Sequence, residues 1–381
     1  MAHACRLVRD GSRLDGTWRR DADQLIVSPD ASAPVSLPLG EVSAIEGDGF
    51  SILLRSPLGD MGLERLGADG PTLLQELRRD WPPLRARLLR LADGAAPAQV
   101  FTGRVQGPLG SGPFRGFLVE DRLVYAIDGA DVAALPLAEC RSVVFDAPSF
   151  SVNCASWDGL ADTVFSRLGG QTQAFTEVLR TARGQLTAEA DATLARHLPT
   201  LPMAGRVALS SQWLPGRMLS LAELEGLAPG FEAAFLASWL AHSHRAEEGR
   251  ALMELVAPAD RWLGYARPGR TLAPGAAPQA LAQVLWLLVK GEPAWSLELL
   301  SQGDFATYLF SGGAELPALV GGIVQFPEFS REALYMPLAD LVEERARYAI
   351  AARDLPLLRQ LRNRFAGRRI HAARTQPVAK G

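Results

Sequence analysis

The chain has 381 residues, and its 39 Lys and Arg against 42 Asp and Glu leave a net charge of −3. That balance excludes a broadly basic surface for nucleic acid. With 48% hydrophobic and 21% charged residues the composition is globular rather than disordered, and the length asks for roughly two to four domains. Cys5, Cys140 and Cys154 contain no Cys-x-x-Cys spacing, so neither a disulfide framework nor a zinc signature is indicated. They read as reduced core residues. Met1 to Arg6 carries no apolar signal-peptide region, and the most apolar run, Val284 to Val289, is too short to span a bilayer. A soluble, cytoplasmic protein is expected.

Residues 1–92 read as a small β-rich unit closed by a helix. Leu25 to Val27, Val42 to Ile45 and Phe50 to Leu54 are strand-length apolar runs separated by Ser28-Pro29-Asp30 and Gly47-Asp48-Gly49. After Gly70-Pro71, Leu73, Leu74 and Leu77 fall on one helical face; Pro82-Pro83 is expected to interrupt or restart that helix. Asp93 to Pro97 is a short linker. A second unit, residues 99–199, shows seven strand candidates: Val100 to Val105, Phe114 to Val119, Leu123 to Ile127, Ala134 to Leu137, Arg141 to Phe145, Phe150 to Cys154 and Thr163 to Leu168. Asp121-Arg122 predicts a tight hairpin between the second and third of these. Gly107 to Gly112, glycine-rich between two strands, reads as a hairpin loop. Cys140 and Cys154 could face each other on paired strands. Phe175, Val178, Leu179 and Ala182 then make the inward stripe of a helix with Thr172 as its cap.

Residues 200–275 change texture to helices, with Phe231, Phe235 and Trp239 recurring every four positions and shorter helices over Leu219 to Leu227 and Arg250 to Val256. Residues 276–370 are mixed α/β: Val284 to Val289, Trp295 to Leu300 and Phe305 to Phe310 read as strands, and Leu357, Leu358, Leu361 and Phe365 as a closing helix. Residues 371–381 are a polar tail expected to fray.

The two N-terminal units echo one another. Leu37-Pro38-Leu39-Gly40-Glu41 returns as Leu135-Pro136-Leu137-Ala138-Glu139, Phe50-Ser51-Ile52 as Phe150-Ser151-Val152, and Arg65-Leu66-Gly67 as Arg167-Leu168-Gly169, with offsets of 98, 100 and 102. A period near 100 with small drift is that of duplicated domains rather than of a solenoid. Met336-Pro337-Leu338-Ala339-Asp340 repeats the string again and predicts a degenerate third copy, with the helical middle as linker or insertion. In fold class the chain is α+β.

Six or seven short antiparallel strands and a closing helix in about 100 residues resemble the pleckstrin-homology-like superfamily, especially its GRAM-like branch. Gly116 to Val119, Arg122 to Tyr125 and Leu135 to Glu139 carry the resemblance in the second copy; Gly16-Thr17-Trp18, Leu25 to Val27 and Leu37 to Glu41 carry it in the first. It covers roughly the first half of the chain. What it implies is binding of protein partners, often as a peptide added beside an edge strand next to the closing helix, or of phosphoinositides. For the membrane lipid the first copy offers Arg6, Arg9 and Arg13 and the second Arg104 and Arg115, without the family's Lys/Arg pattern.

Chemistry is sparse. Lys290 and Lys380, the two lysines, stand in neither a phosphate-binding loop nor a Ser-x-x-Lys nucleophile, and Gly-x-Ser-x-Gly is absent. His242-Ser243-His244 with Glu247-Glu248 resembles ligands, but His242 and His244 do not share a helical face, and tight metal sites need three or four convergent ligands. No catalytic residue, cofactor or metal is nominated. The partner-binding candidates are Trp213, an aromatic in a loop-like context, and the basic patch Arg362, Arg364, Arg368 and Arg369, suited to an acidic partner or anionic lipid. The expected function is a non-catalytic interaction or scaffold protein that binds protein partners. Two alternatives stay open: an enzyme or small-ligand receptor with its site in the helical middle or last third, and a self-assembling homo-oligomer that stacks through exposed sheet edges.

Overall fold

The structure is a computed structural model that describes residues 2–21, 23–56, 59–88, 97, 99–157, 162–242, 246–254, 256–265, 285–290, 295–300, 305–310 and 369–371. The fold is α+β. The chain divides into two compact units, Met1–Ala182 and Arg183–Gly381, and the first unit contains both sheets of the repeat and the helix of each as far as Ala182.

In the first copy, β1 (His3–Arg9), β2 (Ser12–Asp21), β3 (Gln24–Pro29), β4 (Val35–Pro38), β5 (Ala44–Gly47), β6 (Ser51–Arg55) and β7 (Met61–Glu64) precede α1 (Gly70–Leu88). They form one antiparallel sheet in the order β4-β3-β2-β1-β7-β6-β5, so β1 is central and β4 and β5 are its edges. Asp10 and Gly11, both at positive φ, close the β1–β2 hairpin, the backbone a two-residue turn requires. Cross-strand pairs such as Arg6 with Asp15 and Arg13 with Glu64 occupy the exposed positions. Leu25, Val27, Leu39, Ile52, Leu54, Leu63, Leu73 and Leu77 fill an aliphatic core between sheet and helix.

The second copy repeats this element by element: β8 (Phe101–Gly107), β9 (Gly110–Val119), β10 (Arg122–Ile127), β11 (Val132–Pro136), β12 (Cys140–Asp146), β13 (Ser151–Ser156), β14 (Thr163–Ser166) and α2 (Thr172–His197), in the order β11-β10-β9-β8-β14-β13-β12. These are the seven strands expected from the sequence. A 3-10 turn at Leu39–Glu41 recurs at Leu137–Glu139, and one at Gly67–Asp69 recurs at Gly169–Gln171. The duplication reaches the backbone itself. Arg65 and Arg167 both hold φ near +55, and Gly67 and Gly169 follow at +59 and +58. A non-glycine residue in the left-handed region is uncommon, so its recurrence in the same Arg-Leu-Gly turn marks a common origin for the strand-to-helix geometry. The cores differ in chemistry. Phe101, Phe114, Tyr125, Phe165 and Phe175 are buried together, with ring centroids of Phe114, Phe165 and Phe175 5.1 to 6.2 Å apart. Tyr125 and Phe175 stand where the first copy has Val27 and Leu73.

Four sequence expectations change. The α1 helix is continuous through Pro82 and Pro83: both halves are anchored, by Leu73, Leu77 and Trp81 before the prolines and by Arg85 and Ala86 after them. The hairpin before β10 turns at Glu120-Asp121, one position earlier than read, because Arg122 already pairs with Val119. Thr172 opens α2 but donates its hydroxyl to Gly169 O rather than capping an amide. Cys140 and Cys154 lie on paired strands yet stand opposite Ser156 and Val143; all three cysteines are buried and none is in a disulfide.

The second unit joins the helical middle to the last sheet. Residues of α3 (Met203–Gln212), α4 (Leu221–Leu227), α5 (Phe231–Ala234), the π-helical turn Phe235–Trp239 and α6 (Ala246–Glu254) share one core with the strands that follow. α4 begins with a capping box between Ser220 and Glu223. The described strands are β15 (Leu219–Ser220), β16 (Arg261–Tyr265), β17 (Leu285–Val289), β18 (Trp295–Leu300), β19 (Phe305–Phe310) and β20 (Arg369–His371), in sequential antiparallel order. The string Met336 to Asp340 and the helix expected around Leu357 to Phe365 lie outside the described residues. Among the described residues no helix is long and apolar enough to cross a membrane.

Candidate interaction surface

The two copies meet through α1. Its outward face lies against β9, β10 and β11, which is why β10 is buried along its whole length while β3 alternates. Arg85, fully buried, grips Asp131 with two hydrogen bonds of 2.9 and 2.7 Å and donates a third, of 3.2 Å, to Gly40 O. Two helical turns earlier, Arg78 donates to Gly47 O on β5 at 3.4 Å and stands 3.7 Å from Asp128. The β10–β11 turn is thus bracketed by two Arg–Asp pairs. Trp81 fixes the helix between them by donating its indole N–H to Val42 O at 2.7 Å. A cleft of about 170 Å³ remains beside them, lined by Ile45, Trp81, Phe114 and Ile127 among others.

On the second copy the corresponding elements are β12 and α2. Strand β12 is the sheet edge, and α2 reaches it through Arg180, which donates to Val143 O at 3.0 Å. Val143 points into the core, whereas Val144 is 48% exposed and Phe150 at the β12–β13 tip is 55% exposed. Phe145 packs edge-on against Phe150, centroids 5.4 Å apart. An edge strand offers unpaired backbone groups to another chain, and exposed apolar side chains on it make that offer stronger. Period-two alternation in Arg141 to Phe145 signals a strand, but being an edge is a property of topology that the local sequence does not carry.

The β5–β6 tip of the first copy carries the matching Phe50, 73% exposed. Asp48 supports that turn, accepting from the amides of Ser51 and Phe50, and these bonds hold its carboxyl below the usual range.

Of the residues nominated from sequence, Trp213 is completely buried at the centre of the second unit. Its ring lies edge-on to Phe231 and Tyr265, with centroids 5.5 and 4.8 Å away, and its N–H donates to Leu263 O at 3.0 Å. The loop context leaves Trp213 open as an exposed partner anchor or as ordinary packing; it is packed, and Tyr265 Oη donates to Trp213 O and fixes the segment inside. Arg369 lies in β20, opposite Tyr308; Arg362, Arg364 and Arg368 lie outside the described residues. His242 is exposed and sits against Ser238 O, while His244 lies outside the described residues. Among the described residues no group of three or more His, Cys, Asp or Glu could hold a metal ion. In the first copy Arg6, Arg9 and Arg13 each face a carboxylate, of Asp15, Asp10 and Glu64 respectively.

No protein-family model matches the chain, and no curated protein sequence matches it.

Proposed function

We propose that the chain is a non-catalytic interaction protein of tandem pleckstrin-homology-like units, and that it binds an extended segment of a protein partner along β12 beside α2. The seven-strand order with a closing helix, made twice, supports the likeness to that fold. The observation that carries the binding reading is the sheet edge β12 with Val144 and Phe150 exposed on it. A segment pairing with β12 would gain main-chain hydrogen bonds for affinity and side-chain contacts for selectivity. The phosphoinositide version has less support, because the first copy's arginines at the β1–β2 hairpin are engaged by their own acids.

The test is capture from native cytoplasm with the intact chain and with Val144→Asp, alongside Met203→Asp on exposed α3 as control. A charge on the apolar edge should reduce recovery of the partner about tenfold, a loss of about 1.4 kcal/mol; Met203→Asp should leave it unchanged. Equal recovery with wild type and Val144→Asp would refute the β12 site.

A further inference from the structure

The inference rests on the β12 reading and specifies what the groove takes. Arg78 and Arg180 are 102 positions apart, the same offset that separates the first residues of α1 and α2, Gly70 and Thr172. They are the same residue of the duplicated helix. Both reach a carbonyl of the neighbouring edge strand: Arg78 through an outer guanidinium nitrogen to Gly47 O on β5 at 3.4 Å, and Arg180 through Nε to Val143 O on β12 at 3.0 Å. In the first copy the arginine then meets Asp128, on a turn whose preceding residue, Ile127, is apolar and buried beside Trp81. In the first copy, therefore, this arginine of the closing helix already has an acidic neighbour, supplied by the β10–β11 turn.

In the second copy Arg180 is exposed, and among the described residues it has no carboxylate partner. Its Nε is engaged by Val143 O, which leaves the outer guanidinium nitrogens directed by a fixed stem. A guanidinium held in that way is pre-organised for a carboxylate. Val144 on β12 and Phe150 at the β12–β13 tip are exposed apolar side chains of the same edge. We infer that the β12–α2 groove selects a partner segment that presents an aspartate or glutamate next to an apolar residue, with Arg180 reading the acid.

The acidic turn of the chain itself provides the probe. A linear peptide copying residues 122–136 of this chain, fluorescently labelled and free to extend along β12, is titrated with the intact protein. A second peptide carries Asn for both Asp128 and Asp131. The parent peptide is expected to bind, and the Asn version to bind roughly tenfold more weakly or worse. Arg180→Glu should cost the parent peptide a similar factor, Arg180→Lys less, and a peptide carrying Asp128→Arg should recover binding to Arg180→Glu. That recovery separates a charge contact from loss of fold. No binding of the parent peptide, or equal binding of the Asn peptide, overturns the inference. So does Arg180→Glu with unchanged affinity. If Val144→Asp removes the captured partner while Arg180→Glu does not, the groove stands and its preference for an acid falls.

Discussion

Asp131→Ala is expected to destabilise the first unit by about 3 kcal/mol, since it removes the two charge-assisted hydrogen bonds that Asp131 accepts from the buried Arg85 guanidinium. The estimate sits at the low end because Asp131 keeps 32% of its side chain in solvent while Arg85 keeps none. The substitution strips a bidentate carboxylate from a guanidinium that cannot move into water without withdrawing α1 from the second copy. The double replacement Arg85→Met with Asp131→Leu should recover most of the loss, because two apolar groups of similar volume need no partners. Urea denaturation of the three proteins checks this. A loss under about 1 kcal/mol for Asp131→Ala, the range of exposed pairs, would mean that the pair does not hold the copies together.

Trp213→Ala should destabilise the second unit by about 3–5 kcal/mol, the range for deleting a large buried aromatic. The ring fills the space between Phe231, Trp239 and Tyr265 and satisfies Leu263 O. Trp213→Phe would retain most of the packing but leave that carbonyl without its donor, a cost of about 1–3 kcal/mol. Calorimetry on the intact chain should show one transition shifted far more by Ala than by Phe. A near-neutral Trp213→Ala would return this residue to the surface and to partner binding.

Much of the first unit was legible because its signals are local. The Leu-Pro-Leu string, the Arg-Leu-Gly turn and the closing helix are short-range features, and each is written twice. The strands of the second copy are apolar enough to read singly. Strands β1, β2 and β7 are harder, since Arg6, Arg13, Asp15 and Glu64 make their exposed face look like loop until the cross-strand pairs are seen. The copies also drift apart where an aliphatic core residue became aromatic, as at Val27 and Tyr125.

What escaped the sequence is what depends on distant partners. Arg85 and Asp131 are 46 positions apart and form no motif. Pro82-Pro83 signals a break that packing on both sides overrides. Trp213 has a loop's neighbours but a core's surroundings. For the candidate site the difficulty is sharper: Val144 has the composition of a core strand residue, and only the strand order makes it the rim of an open edge.

The central claim is that β12 is a binding edge, and site-specific photo-crosslinking tests it most directly. A photoreactive phenylalanine analogue is placed at Val144, and at Met203 on α3 as a control of even greater exposure, and irradiated in a native cell extract. The account predicts a discrete protein adduct from position 144 and none from 203. No adduct from 144, or an adduct from 203 alone, would contradict it.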